Sequence, residues 1–266
     1  MRWRKYLTVA RLAVQEAAAY RLNHFLSFLV AAVPLLGLLL LWEQVLGPQG
    51  RLAGFTRGEM LTYFILTRWL YELTGPAVWW DITYEIYQGD LAFHLLRPQR
   101  YDLYHFALIL GSKLPYALVG LGVVVPFALS VGAAWVWPPS VGAWAAFGVS
   151  VALAVALAYQ FTFLFSLSAF WLEDTGGVSL LADFVVPLAA GSLLPLDLFP
   201  RPVAALLHAL PFAQLLYFPA QVYLGRVSGA AWLRGVGVQL AWLVGLFLLN
   251  GWVWRRGLRR FRAVGG

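Results

Sequence analysis

The sequence predicts an all-α membrane protein with six transmembrane helices, folded as a single domain over residues 1–266. Three observations lead there. Of the 266 residues, 61% are hydrophobic and 12% charged, against about 25% charged in an ordinary soluble domain. The apolar residues are gathered into runs that reach about 20 residues, the length at which a helix crosses a bilayer. The net charge is +7, and its Lys and Arg residues flank the apolar runs, as topology signals do. That placement implies anionic membrane lipid as a partner rather than nucleic acid. Cys is absent, which excludes disulfides, thiol nucleophiles and Cys-based metal sites.

Residues 1–21 carry Arg2, Arg4, Lys5, Arg11 and Arg21, while Trp3, Leu7, Ala10, Val14 and Ala17 recur at helical spacing. Such a pattern is that of a basic helix lying in the membrane interface. The first span follows over 22–46, closed by the turn Gly47-Pro48-Gln49-Gly50, with a short loop over 51–58. A second span, 59–80, holds Arg68 and Glu72 one helical turn apart near its middle, a spacing that permits an ion pair. Charges at that depth are costly in lipid and so face protein or water. They are candidates for the translocation path or a dimer seam, or for a pair that fixes helix packing.

The polar, aromatic stretch 81–103 separates the second span from the third. Ile82, Ile86 and Tyr87 fall near one side of a first short helix, which Gly89 stops by taking the left-handed C-terminal position. Asp90 then serves as N-cap of a second helix over 91–96, and Pro98 ends it by forcing Arg97 out of helical geometry. The third span covers 104–135, with Lys113 near enough to its start to snorkel. The fourth covers 141–172. A fifth starts near Val178 and is interrupted by Pro187, Gly191 and Pro195. In 197–229, Pro200, Pro202, Pro211 and Pro219 leave apolar runs too short to span, which predicts short helices dipping back into the outer interface. The last span, 231–254, ends in Arg255, Arg256, Arg259, Arg260 and Arg262.

Orientation follows from the basic residues. With both termini cytoplasmic, thirteen of the 19 Lys and Arg fall on the inner side, including Arg97, Arg100 and Lys113, and five on the outer. That bias sets both termini and the 81–103 stretch inside the cell membrane.

The stretch Glu85-Ile-Tyr-Gln-Gly-Asp-Leu-Ala-Phe-His-Leu-Leu-Arg-Pro98 resembles the cytoplasmic loop of the type-2 ABC exporter permeases, through its Gly-x-Leu and Leu-Leu-Arg-Pro elements. The segment Gly191-Ser-Leu-Leu-Pro-Leu-Asp-Leu-Phe-Pro200, followed by Leu210-Pro-Phe and Tyr217-Phe-Pro-Ala, is similar to that family's outer re-entrant helices. With the basic N-terminal helix and six spans, the likeness extends over essentially the whole chain. It implies that the 81–103 region docks in a groove of a separate ATPase. Glu85, Asp90 and Arg97 would offer charged contacts, Tyr84, Phe93 and Leu96 apolar ones, and Gly89 and Pro98 the turns that hold the segment. It also implies two ATPase subunits, a second permease copy or paralogue, and an outer region shaped by Gly191, Pro195, Pro200 and Pro211.

The chain itself carries no Gly-x-x-x-x-Gly-Lys-Ser/Thr loop, the phosphate cradle of such ATPases. ATP and Mg are therefore expected in the partner, and no cofactor or enzymatic activity in this chain. His24, His94, His105 and His208 show no metal-ligand spacing and no carboxylate at a helical repeat, so no metal is expected. Asp183 reads as interfacial, and Gln160 and Asn250 as helix-to-helix hydrogen bonds. The implied function is export of an amphipathic or lipid-like substrate. An ion-coupled secondary transporter would need several mid-membrane carboxylates, where Glu72 stands alone. A membrane-embedded lipid-modifying enzyme would need a nucleophile, base or metal that the sequence does not assemble.

Overall fold

A computed structural model of the chain describes residues 3–46, 50–75 and 79–261. The expected turn at 47–50, the end of the predicted second span at 76–78, Arg2 and Arg262 lie wholly or partly outside the described residues. The described chain is almost entirely helical: α1 (Arg4–Ala19), α2 (Arg21–Leu46), α3 (Arg57–Thr74), α4 (Trp79–Gln88), α5 (Leu91–Leu95) and α6 (Tyr101–Val131), then α7 (Val141–Ser166), α8 (Gly176–Leu180), α9 (Val186–Ala189), α10 (Arg201–Ala209), α11 (Tyr217–Tyr223) and α12 (Gly229–Leu258). The predicted loop at 51–58 is instead a tiny antiparallel hairpin, β1 (Arg51–Leu52) and β2 (Phe55–Thr56), with Leu52 opposite Phe55.

The bundle is built around α3. Its first turn is closed by a capping box: Glu59 N donates to Thr56 Oγ1 at 3.3 Å, and Thr56 N donates to Glu59 Oε2 at 2.7 Å. These bonds satisfy two donors that a helix start would otherwise leave open. Beyond the cap, Met60, Tyr63, Phe64, Ile65 and Leu70 are fully buried in the largest core cluster, packed among α2, α6, α7 and α11.

The far end of α3 is finished by a lysine. Lys113 Nζ donates to the carbonyls of Glu72 at 3.0 Å and Gly75 at 2.6 Å, and Trp69 Nε1 donates to Ala117 O at 3.0 Å. Orphan carbonyls with the negative end of the helix dipole behind them favour a cation there. Lys113 is 6% exposed, so it does not snorkel as its position in the sequence suggested; its charge is consumed inside. Because α3 stops at Thr74 rather than near Trp80, Arg68 and Glu72 fall in its last two turns and not at mid-span.

Among the described residues, four helices are long and apolar enough to cross a membrane: Phe25–Leu46, Tyr101–Ala134, Val141–Phe170 and Gly229–Leu258. A fifth arises if Arg201–Ala209 and Pro211–Tyr223, bent by 69° at Leu210, are taken together. Two of the six predicted spans thus differ from expectation for physical reasons. The 18-residue α3 carries Arg57, Glu59, Arg68 and Glu72, and it tolerates them because protein rather than lipid surrounds most of it. The fifth predicted span is the short bent stretch Gly176–Ala189, with a π-helical turn at Leu181–Val185 where Asp183 is exposed.

Helix α1 packs along α6 through its small residues. Ala13 and Ala17 are buried, and the Ala10 carbonyl approaches Gly111 so closely that a Cβ there would lie 2.3 Å from it. Trp3 and Leu7, on the predicted apolar stripe, stay exposed, as a helix with one face on protein and another toward the interface requires.

The two ends of the bundle are distinct. At one end Lys5 Nζ donates to Pro98 O, Arg100 N to Tyr6 Oη at 3.1 Å and Tyr87 Oη to Leu172 O at 2.8 Å. There Trp254 stacks on Tyr101 at 5.0 Å. This end gathers the start of α1, the 79–100 segment and the end of α12, and with them Arg4, Lys5, Arg97, Arg100, Arg255 and Arg256. At the other end Arg226 lies 3.7 Å over the Phe55 ring, and Val136 N donates to Thr62 Oγ1 at 3.1 Å. Between them, Asn250 Nδ2 donates to Gln160 Oε1 at 2.7 Å and Gln239 Nε2 to Ser150 O at 3.0 Å, the helix-to-helix bonds read from sequence for Asn250 and Gln160.

Replacing Lys113 by Met leaves the α3 carbonyls without their donor. We expect a loss of about 1.5–3 kcal/mol, the usual worth of hydrogen bonds to a charged group, measured by unfolding of the detergent-solubilised protein. Lys113→Arg, which keeps charge and donors, should lose less.

Candidate functional site

The segment 79–100 packs on the basic end as two short helices, α4 and α5. Helix α4 buries Ile82 and Ile86 against the second core cluster and stops where Gly89 takes φ +80, a conformation that a Cβ makes costly. Helix α5 follows at once with Leu91 fully buried. Asp90 stands at its N-cap position as predicted but makes no side-chain cap: its φ and ψ of −62° and −20° are helical, whereas a capping side chain needs an extended backbone. Helix α5 then ends at Leu95, three residues before Pro98.

Glu85 holds the segment to the bundle. Tyr101 Oη donates to its Oε2 at 2.6 Å, His105 Nε2 lies 3.2 Å from the same oxygen, and His94 Nε2 lies 3.5 Å from Oε1. One carboxylate thus joins α4, α5 and the head of α6. Burial raises the Glu85 pKa, but the His105 hydrogen bond and charge, the Tyr101 hydroxyl and His94 outweigh it, and the group ends below the usual carboxylate range. His94 is pushed below the usual histidine value, by burial first and then by His105 and Arg97, against the pull of Glu85 and Asp90. Glu85, His94 and His105 also each present a ligand atom within 4.8 Å of the others, a set able to hold a metal ion.

With Glu85 turned inward, it is not the outward contact that its sequence position suggested. What faces out is apolar. Tyr84 is 60%, Phe93 66% and Leu96 84% exposed, with Asp90, Arg97 and Pro98 also exposed among them. Behind the segment, a cavity of about 490 Å³ opens between α6, α7 and α12, lined by Arg100, Tyr101, Phe163, Asn250, Trp254 and Arg255 among others.

At the opposite end the chain doubles back. Gly191 has φ +85, and a Cβ on it would lie 2.6 Å from Tyr63 Oη, which donates to the Gly191 carbonyl at 2.7 Å. Pro195 precedes a short 3-10 turn, Pro200 precedes α10, and Pro211 opens the turn after the 69° bend. Asp197 accepts from Tyr217 Oη at 2.8 Å and from Gln221 Nε2 at 3.3 Å, which ties α11 back over the break.

The sequence model of the family described as ABC-2 family transporter protein matches residues 28–265. The chain belongs to the ABC-2 transporter family. Among curated proteins, a search finds no match. As an ABC-2 permease the chain is the transmembrane subunit of an ABC transporter, a multi-pass membrane protein that associates with ABC ATPase partners.

In this ABC-2 permease, Arg68 and Glu72 form the ion pair that their spacing suggested, half-buried on α3, with the Arg68 guanidinium 5.6 Å over the Tyr71 ring. They precede the 79–100 segment by a few residues and are linked to α6 through Lys113, which donates to the Glu72 carbonyl. The residues that sequence reasoning missed are Tyr101, His105 and Lys113. The first two were hidden because their partner Glu85 lies across a glycine turn, 16 and 20 positions away; no helical repeat reports such a contact.

Removing the Tyr101 hydroxyl as Tyr101→Phe should loosen the segment without unfolding the bundle. Amide hydrogen exchange across α4 and α5 should speed up about ten-fold or more, matching a loss of about 1.5–3 kcal/mol for a bond to a charged acceptor, while α3 exchange stays as it is.

Proposed function

We propose that this chain is the permease of an ATP-driven exporter and that residues 79–100 are the element through which a separate ATPase moves it. The observation that carries the reading is the exposed apolar set Tyr84, Phe93 and Leu96, on two short helices and the turn after them, which Glu85 ties to the head of α6. Aromatic and leucine side chains this exposed, outside any membrane-crossing helix, suit a protein contact. A segment tied to α6 in this way passes a push from that contact into the bundle, where a flexible loop would absorb it.

In this reading the basic end is cytoplasmic, both termini are inside the cell membrane, and the doubled-back region 191–229 is the outer re-entrant part. Six crossings result if α3, sheltered by its neighbours, and the bent Gly176–Ala189 stretch each count as one. Two ATPase subunits supply the ATP and Mg chemistry, this chain hydrolysing nothing, and a second permease copy or paralogue completes the path. Arg68 and Glu72 border that path or the dimer seam. The cavity behind the segment, with aromatic walls and Arg255 among its lining, suits an amphipathic or lipid-like cargo.

The double change Phe93→Glu with Leu96→Glu adds charge only to an exposed face, so membrane insertion should persist. We expect ATPase recovered with the tagged permease to fall by ten-fold or more, since truncating or charging contact anchors costs upward of about 2 kcal/mol each. Undiminished co-purification and transport would remove the segment from the coupling role. Gly89→Val, strained by about 1–3 kcal/mol at positive φ, should retain the ATPase but reduce transport per ATP hydrolysed.

A further inference from the structure

The Glu85 cluster does more than brace the segment. Two imidazoles and one carboxylate are the donor set of open zinc sites, in which a fourth position is left for water or another ligand. Here they converge from three helices: Glu85 on α4, His94 on α5 and His105 on α6, one ligand atom of each within 4.8 Å of the other two. The Nε2 atoms lie 3.2 and 3.5 Å from the two carboxylate oxygens. A tetrahedral ion about 2.0–2.1 Å from nitrogen and oxygen ligands places those ligands about 3.3 Å apart, so small side-chain shifts suffice.

A further observation favours a cation. The surroundings add negative charge, since Asp81 is within electrostatic reach of Glu85 and His105, and Asp90 of His94, with Arg97 the opposing cation. The cavity that His94 and Tyr101 line offers the ion access from outside.

We propose that Glu85, His94 and His105 form a binding site for a divalent transition metal of the zinc class, which staples the 79–100 segment to the head of α6. The ion replaces two hydrogen-bond-length approaches by two coordinate bonds and adds a third, so the turn at Gly89 loses freedom when it is bound. The site makes the stiffness of the segment depend on metal supply. Binding itself is a property of this chain alone and is independent of whether the segment meets an ATPase.

The test is titration of the full-length chain, purified in detergent and freed of metal, with zinc chloride by calorimetry and with cobalt(II) by visible absorption. We expect one equivalent bound per chain with the intense absorption of four-coordinate cobalt. Glu85→Gln should abolish it, and His94→Ala should weaken it by more than the about 10–100-fold that a merely supporting residue costs. His94 is the informative ligand because it is only partly buried, and circular dichroism verifies that each variant keeps its helices. His208→Ala, away from the cluster, should bind as the parent does. No stoichiometric binding by the parent chain, or tight binding retained in either Glu85→Gln or His94→Ala, overturns the site. Zinc that binds but leaves amide exchange across α4 and α5 unchanged overturns the staple.

Discussion

A single half-buried carboxylate organises the basic end of this protein. Glu85 receives Tyr101 and His105 from α6 and faces His94 from α5, so three helices that differ in direction are referred to one point. Without that point the middle of the segment would rest on Ile82, Ile86 and Leu91, with the bonds of Tyr87, Pro98 and Arg100 holding only its flanks. Apolar contacts are non-directional and fix position less sharply than hydrogen bonds to a charge. The same carboxylate explains why the outward face can be so apolar. With its polarity spent inward, the outward face presents Tyr84, Phe93 and Leu96, the contact that the proposed coupling role requires.

A second constraint works at depth. In a membrane domain each polar group must find its partner within the protein, and α3 shows how that is done. Its start is capped by its own Thr56 and Glu59, its end by Lys113 from α6, and the Arg68–Glu72 pair neutralises itself along its side. The helix with the most charge among the core elements is thereby the one most enclosed. Lys113 and the partners of Glu85 at Tyr101 and His105 all belong to α6, so in the proposed coupling this one helix joins the segment to the end of α3.

The sequence made the helical membrane class, the long spans, the glycine stop at Gly89 and the proline-broken stretch after Gly191 legible, because these rest on local chemistry: run length, backbone freedom and missing N–H groups. It placed the Arg68–Glu72 pair by spacing alone. What it misjudged required knowledge of neighbours. Lys113 reads as a snorkelling residue until the open carbonyls of α3 are beside it. Glu85 reads as a surface charge until the turn at Gly89 brings His94 back upon it. Asp90 reads as a cap, but its helical backbone angles deny it the reach. The predicted second span overran Thr74 because apolarity persists to Trp80, while the helix itself ends where Lys113 binds.

The account depends on the segment 79–100 facing the cytoplasm, and the absence of Cys in the chain makes that directly measurable. Single cysteines introduced at Tyr84, Gln88 or Leu96, all exposed in the structure, can be probed with a membrane-impermeant maleimide. The account predicts no labelling in intact cells and full labelling once the membrane is permeabilised. Labelling of these positions in intact cells would place the segment on the outer face and contradict it.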